Sequence, residues 1–103
     1  MILHAALFTW KADVGDEEVE ALTAALEDMA SALPMLHTYR CGPNLRLRPS
    51  PSDYGVVALV DDDAALTAYL DSPQHAAVYD AHLARMIETR QAVQIVVPDG
   101  TAL

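Results

Sequence analysis

Three segments of this sequence are apolar on both sides of a strand, and this property constrains the fold more than any other. They are 2–11 (ILHAALFTWK), 54–60 (YGVVALV) and 92–97 (AVQIVV). Side chains alternate between the two faces of a strand, so a strand with one face in water shows alternating apolar and polar residues. These segments instead predict strands of a sheet that is covered on both faces.

The first helical unit lies between the first two predicted strands. Asp16 is its predicted N-cap, and Glu17 and Glu18 suit the positive end of a helix dipole. The helix is expected to end before Pro34, because proline disfavours helical geometry in the preceding residue. Its apolar residues recur at helical spacing: Val19, Leu22, Leu26, Met29 and Leu33.

The second helical unit is predicted to be broken in the middle. The triplet 61–63 (DDD) offers N-caps for a short helix that carries Leu66, Tyr69 and Leu70. Ser72 then caps another helix, with Pro73 at its first position, where a missing N–H costs nothing. The predicted apolar stripe of that helix consists of Ala76, Tyr79, Leu83, Met86 and Ile87.

The second strand is predicted at 36–42 (LHTYRCG), before a proline-rich loop. The resulting order β-α-β-β-α-β is that of the α+β, ferredoxin-like fold, with a four-stranded antiparallel sheet. Right-handed crossovers place both helical units on one face of that sheet. We therefore expect one domain over 1–103, with its core in 2–97 and a C-terminal tail at 98–103.

Helices on one face leave the other apolar face without cover. Val57 and Leu59 alternate with Val56 and Ala58 in the third strand, so both of its faces are apolar. An exposed apolar surface of this kind marks an association site. The sequence therefore predicts a homodimer with twofold symmetry, in which the helix-free faces of two sheets stack into an α/β barrel.

Composition excludes several classes of function. The net charge of −9 repels nucleic acid and anionic membranes. The opening apolar stretch is too short to span a membrane and lacks the features of a signal peptide. With the single cysteine, Cys41, this predicts a cytoplasmic protein. No metal site is expected, because no CxxC or HExxH occurs, and His75 and His82 would be separated by about 10 Å of helix.

Several motifs resemble the stress-responsive α/β-barrel (Dabb) family over about 2–97. They are the strand-one His4, CGPNL after the second strand, and YGVVALV leading to ALTAYLDSPQH. The resemblance implies a dimer of ferredoxin-like subunits without a cofactor. It also implies that Tyr69 and His75 correspond to the Tyr/His pair of the family's plant polyketide (olivetolic acid) cyclases, with His4 near the same pocket as a substrate-binding residue. Many relatives have a histidine where this chain has Ser72.

His75 and Tyr69 therefore carry the main functional hypothesis. His75 falls in the first turn of its helix, where the dipole disfavours imidazolium and leaves a neutral base. Tyr69 is placed to donate a proton to the oxygen of a forming enolate. The pair predicts a cofactor-free cyclase or isomerase that acts on an apolar carbonyl-containing molecule.

Other interpretations stay open at this point. His75 can be a surface residue, Tyr69 a core aromatic, and His4 a buried, hydrogen-bonded histidine. The protein is then a non-catalytic, stress-responsive dimer with an unknown ligand. A cofactor-independent monooxygenase-like barrel is a third possibility. The loop arginines, Arg40, Arg46 and Arg48, are either solvated or a docking site for an anionic tail.

Overall fold

The predicted order of elements is present in the computed structural model, which describes residues 1–103. The first five elements are β1 (Ile2–Trp10), α1 (Asp16–Ser31), β2 (Thr38–Pro43), β3 (Tyr54–Val60) and α2 (Asp63–Leu70). The C-terminal helix follows and has three consecutive parts: α3 (Pro73–Val78), a π-helical turn (Tyr79–Leu83) and α4 (Ala84–Met86). The last strand is β4 (Ile87–Val96).

The strands form one antiparallel sheet in the order β2-β3-β1-β4. The two edge strands are therefore β2 and β4, while β1 and β3 are central. This topology confirms the predicted ferredoxin-like α+β fold.

The main core lies between the sheet and the helices. His4, Ala6 and Phe8 of β1 point to this side and are at most 6 % exposed. Leu22 and Leu26 of α1 are buried against the same layer. Because strand side chains alternate, the residues between these positions point to the opposite side of the sheet.

The helix-free face is apolar and largely open. Leu7, Val93 and Ile95 lie on it and are 45 %, 55 % and 50 % exposed. The C-terminal tail crosses one end of this face, where the Leu103 carbonyl oxygen accepts a hydrogen bond from Arg40 Nη2. The rest of the face has no cover within the subunit.

The helix α1 ends before Pro34 as predicted, but its N-cap differs from the prediction. Asp16 is the first helical residue, and the N-cap is Gly15, whose extended backbone makes no side-chain capping bond. The first-turn carboxylates therefore act on the helix through its dipole alone. The helix ends at Ser31, and the following turn continues past Pro34 to β2, which begins at Thr38 instead of residue 36.

The predicted stripe of the C-terminal helix was wrong in its first half. Ala76 and Tyr79 are exposed, whereas Val78, Leu83 and Met86 are buried. The π-helical turn adds a residue between Val78 and Leu83, which shifts the buried face relative to an ideal helix. Strict helical spacing could not anticipate this shift.

The last strand begins at Ile87, five residues before the predicted start at 92. It pairs with β1 along nearly the whole length of that strand. The added residues 87–91 are mostly polar, which an edge strand tolerates. Two residues of the candidate site, Arg90 and Gln94, are positioned by this long pairing.

Candidate functional site

A cavity of about 200 Å³ lies between the sheet and the helices. Most of its lining is hydrophobic. The lining side chains that carry polar atoms come from β1, β2, β4, α2, α3 and the π-helical turn. They are His4, Tyr39, Tyr69, His75, Tyr79, Arg90 and Gln94. An engineered apolar cavity of about 150 Å³ binds benzene, so this space suits a single ring or a chain of similar size.

Tyr69 and His75 face each other at the cavity. Their ring centroids are 5.3 Å apart and the ring planes are nearly perpendicular, at 89°. Tyr69 is 2 % exposed, and His75 is partly exposed. The structure thus brings the two predicted catalytic side chains together at one cavity.

Ser72 holds this pair in place through the backbone. Its Oγ donates to the Tyr69 carbonyl oxygen over 2.8 Å and accepts from the His75 backbone N–H over 3.0 Å. It is the N-cap of α3, with Pro73 following it as predicted. This serine therefore joins the end of α2 to the start of α3.

His4 projects from β1 into the same cavity and is 5 % exposed. The Gln94 side-chain amide donates to His4 Nδ1 over 2.9 Å. Because Nδ1 accepts this bond, the neutral ring carries its proton on Nε2 and presents a donor there. The His4 ring lies 6.3 Å from that of Tyr69.

Both histidines are held in the neutral form. Burial lowers the pKa of His75, and the Arg90 charge lowers it further, while Asp71 opposes the shift. Burial also lowers the pKa of His4, with smaller contributions from His75 and Arg90. A neutral imidazole at physiological pH can accept a proton.

Tyr39 is a site residue that the sequence analysis missed. Its hydroxyl is buried without a hydrogen-bond partner, and its ring lies 6.2 Å from that of Tyr69. Burial raises the pKa of both tyrosines, so each keeps its proton as a donor. Alternation along β2, which places Tyr39 opposite Ala58 on the helix side, is the signal that would have found it.

Arg90 was missed because β4 was predicted to begin at residue 92, and Gln94 was missed because the strand that contains it was interpreted only as an apolar segment. Arg90 pairs with Phe8 and Gln94 with His4, so both point to the helix side of the sheet. Arg90, Ala92 and Gln94 are spaced two residues apart, as residues on one face of a strand are. The polar composition of 87–91 nevertheless gave no indication of a strand there.

Other candidates lie elsewhere. Arg46 forms an ion pair with Asp53, and Arg40 and Arg48 bond to backbone carbonyls; none of these three lines the cavity. His82 is also absent from the lining.

No group of three or more His, Cys, Asp or Glu side chains is arranged to hold a metal ion. None of the helices has the length and apolar character needed to cross a membrane.

Comparisons with known proteins identify relatives over most of the chain. A family model described as "Stress responsive A/B Barrel Domain" matches residues 2–97. An uncharacterized protein of Streptomyces coelicolor is 33 % identical over 79 residues, covering 75 % of this chain and 81 % of that protein. A dimeric ferredoxin-like protein of unknown function from Thermobifida fusca is 38 % identical, with a TM-score of 0.85 over 93 % of this chain and 90 % of that one.

Two more distant structures share the fold. A hydroxynitrile lyase from Passiflora edulis is 10 % identical, with a TM-score of 0.80 over 98 % of this chain and 96 % of that one. SnoaB, a cofactor-independent oxygenase from Streptomyces nogalater, is 19 % identical, with a TM-score of 0.70 over 93 % and 91 %. At these identities the likeness shows the fold alone.

Proposed function

The chain belongs to the stress responsive A/B barrel family, and from this premise we propose that it is a cofactor-free acid–base enzyme acting on a small carbonyl compound. His75 is the base and Tyr69 the acid. Both candidate reactions begin with enolisation. The enolate then undergoes aldol-type ring closure, as in the polyketide cyclases, or isomerisation. The proposal rests on one observation: the rings of His75 and Tyr69, whose centroids are 5.3 Å apart, meet at a ring-sized cavity.

The proposed reaction begins at a carbon next to a carbonyl group. His75 takes a proton from this carbon. The electron pair of the broken C–H bond forms a carbon–carbon double bond, and the π pair of the carbonyl group moves to its oxygen as the enolate forms. The Tyr69 hydroxyl donates to that oxygen as its negative charge develops. In ring closure the enolate carbon attacks a second carbonyl group, and the alkoxide that forms takes the proton held by His75. In isomerisation the enolate takes that proton at another carbon.

Tyr39 and His4 support the same oxygen in this proposal. The buried Tyr39 hydroxyl has no partner in the subunit and lies in the lining beside Tyr69, so it is available as a second donor. His4 is fixed by Gln94 with its Nε2–H free to orient a substrate oxygen. Donors that are already in place need no reorganisation when charge develops.

We further place the protein in a homodimer that uses the helix-free face. The Thermobifida relative is described as dimeric. Leu7, Val93 and Ile95 give this subunit an apolar surface that a second copy would cover. Such an interface leaves the cavity of each subunit on the outer, helix-covered side of the barrel. The single cysteine suits a reducing compartment, and we assign the dimer to the cytoplasm.

Exchange of α-protons tests the proposed chemistry directly. Ethyl acetoacetate in deuterium oxide, followed by proton NMR, is expected to lose its methylene protons faster with the enzyme than in buffer. His75→Gln and Tyr69→Phe should each slow the catalysed exchange by about a hundredfold or more. His82→Gln is the matched control, because His82 lies on the same helix outside the cavity lining.

The outcome separates the proposal from its alternatives. Equal exchange by wild type and both cavity variants would overturn the acid–base assignment. Binding of ethyl acetoacetate without exchange would favour a non-catalytic, ligand-binding dimer. Oxygen uptake with an aromatic substrate, in place of proton exchange, would favour the oxygenase alternative that the fold of SnoaB suggests.

A further inference from the structure

Building on the proposed function, we infer that the substrate is an organic carboxylate whose negative charge binds Arg90 at the cavity mouth. Arg90 lies in the cavity lining, on the helix side of β4 and opposite Phe8. It is an exposed residue, whereas Tyr69 is 2 % exposed. A carboxylate at Arg90 would therefore leave the rest of the substrate pointing inward to the tyrosines.

Arg90 is the only arginine of the chain whose side chain makes no hydrogen bond or ion pair within the subunit. Arg46 and Arg85 form ion pairs with acidic side chains, while Arg40 and Arg48 donate to backbone carbonyls. A guanidinium presents planar, paired N–H donors that match a carboxylate. The unpaired fork at the cavity is thus available to a ligand.

The remaining polar groups of the cavity also favour an anion. No aspartate or glutamate is among the lining residues, although the protein carries fifteen acidic residues and a net charge of −9. Arg90, the Tyr39 hydroxyl, the Tyr69 hydroxyl and His4 Nε2–H are all donors. A ligand with several acceptor oxygens and a negative charge complements this set.

Carboxylate binding would also strengthen the proposed base. Arg90 from β4 disfavours protonation of His75, while Asp71 before α3 favours it; His4 from β1 and Tyr69 from α2 face the same ring. A bound carboxylate would offset the Arg90 charge. The pKa of His75 would then rise toward its ordinary value, and the imidazole would become a stronger base when the correct ligand is present.

Benzoate and benzamide test this inference, because they are alike in size and shape but only benzoate is charged. Each is titrated into the intact protein while the ring proton signals of His4 and His75 are followed by NMR. Benzoate should bind at least about tenfold more tightly than benzamide. The pKa of His75, measured from the same signals, should rise when benzoate is bound.

Arg90→Gln should weaken benzoate binding by about tenfold or more and leave benzamide binding nearly unchanged, while Arg90→Lys should weaken it less. Arg48→Gln is the matched control, since it removes the same charge from an exposed loop. Equal affinities for the two probes, or unchanged benzoate binding in Arg90→Gln, would overturn the inference. Arg90→Lys keeps the test decisive if Arg90→Gln does not fold.

The anion site and the proposed chemistry can be overturned separately by these measurements. Benzoate binding that depends on Arg90, in a protein that does not catalyse exchange of ethyl acetoacetate, supports the anion site and removes the enzyme proposal. Catalysed exchange of that neutral ester, together with benzoate binding that is indifferent to Arg90, supports the chemistry and overturns the anion site.

Discussion

The two faces of the sheet are built from the same strands and differ at every second residue. On the helix side, β1 carries His4, and on the helix-free side its neighbours are Leu3 and Ala5. β4 repeats the pattern, with Gln94 on one side and Val93 and Ile95 on the other. The cavity side thus combines polar and apolar groups, while the middle of the opposite surface is aliphatic.

This comparison shows how a small domain can combine a ligand site with an association surface. The two-residue period of a strand separates the two sets of side chains by the thickness of the sheet. A substitution on one face should therefore affect one property and largely spare the other. The following predictions test that separation, beginning with the largest expected effect.

Ile95→Asp should weaken dimer association by about a thousandfold, because twofold symmetry places two new carboxylates in one apolar interface. Sedimentation velocity over a range of protein concentrations measures the change. Val96→Asp is the control: Val96 is 87 % exposed on the same strand but points to the other side. If both variants dimerise like wild type, the interface lies elsewhere.

Ser72→Ala should reduce the exchange rate by about tenfold, because the same hydroxyl bonds to the backbone of both Tyr69 and His75. The lost cap should also lower the free energy of unfolding by about 1 kcal/mol.

Asp62→Ala provides the matched control for that effect. Asp62 caps α2 by accepting from the Ala65 N–H, so its loss should cost about the same stability, roughly 1 kcal/mol. Exchange activity should remain near that of wild type, because Asp62 is outside the cavity lining. A similar loss of exchange in both variants would mean that Ser72 contributes stability alone.

Tyr39→Phe should slow exchange severalfold and raise the free energy of unfolding by about 1 kcal/mol, since it removes a buried hydroxyl that has no partner. Tyr54→Phe is the opposite case, because the Tyr54 hydroxyl lies 2.7 Å from Thr23 Oγ1 and its loss should be destabilising. Chemical denaturation compares the two. A destabilised Tyr39→Phe would indicate that the hydroxyl is already satisfied.

The smallest expected effect is on pH dependence. The pKa of His75 is lowered from 6.5, chiefly by burial, so the low-pH limb of the exchange rate should have its midpoint below 6.5. His75 binds a proton more readily in the unfolded state than in the folded state. The free energy of unfolding should therefore fall as the pH decreases through 6.5. A midpoint above 6.5 with ethyl acetoacetate as substrate and no carboxylate ligand present would contradict a desolvated base.

Most of the fold follows from local patterns in the sequence. The apolar strands and the Ser72-Pro73 break between the helical units were readable, because alternation and capping depend on neighbouring residues. The π-helical turn at Tyr79–Leu83 was not readable. The extra residue of this turn depends on how the helix packs against the sheet, and the spacing of residues within the helix does not report that packing.

The site was predicted only in part, for a similar reason. Tyr69, His75 and His4 were found through motifs that resemble a family. Arg90 and Tyr39 come from the two opposite edge strands and meet at the cavity only through sheet order and register. Such pairings connect residues far apart in the chain and are not encoded in any short segment.

A benzoate titration followed by side-chain NMR on adjacent residues tests the separation of the two faces most directly. The account predicts that the ring signals of His4 and His75 shift with benzoate, while the methyl signals of Val93 and Ile95 stay in place. Shifts confined to the Val93 and Ile95 methyl groups, with unchanged histidine rings, would put the ligand on the helix-free face and contradict the account.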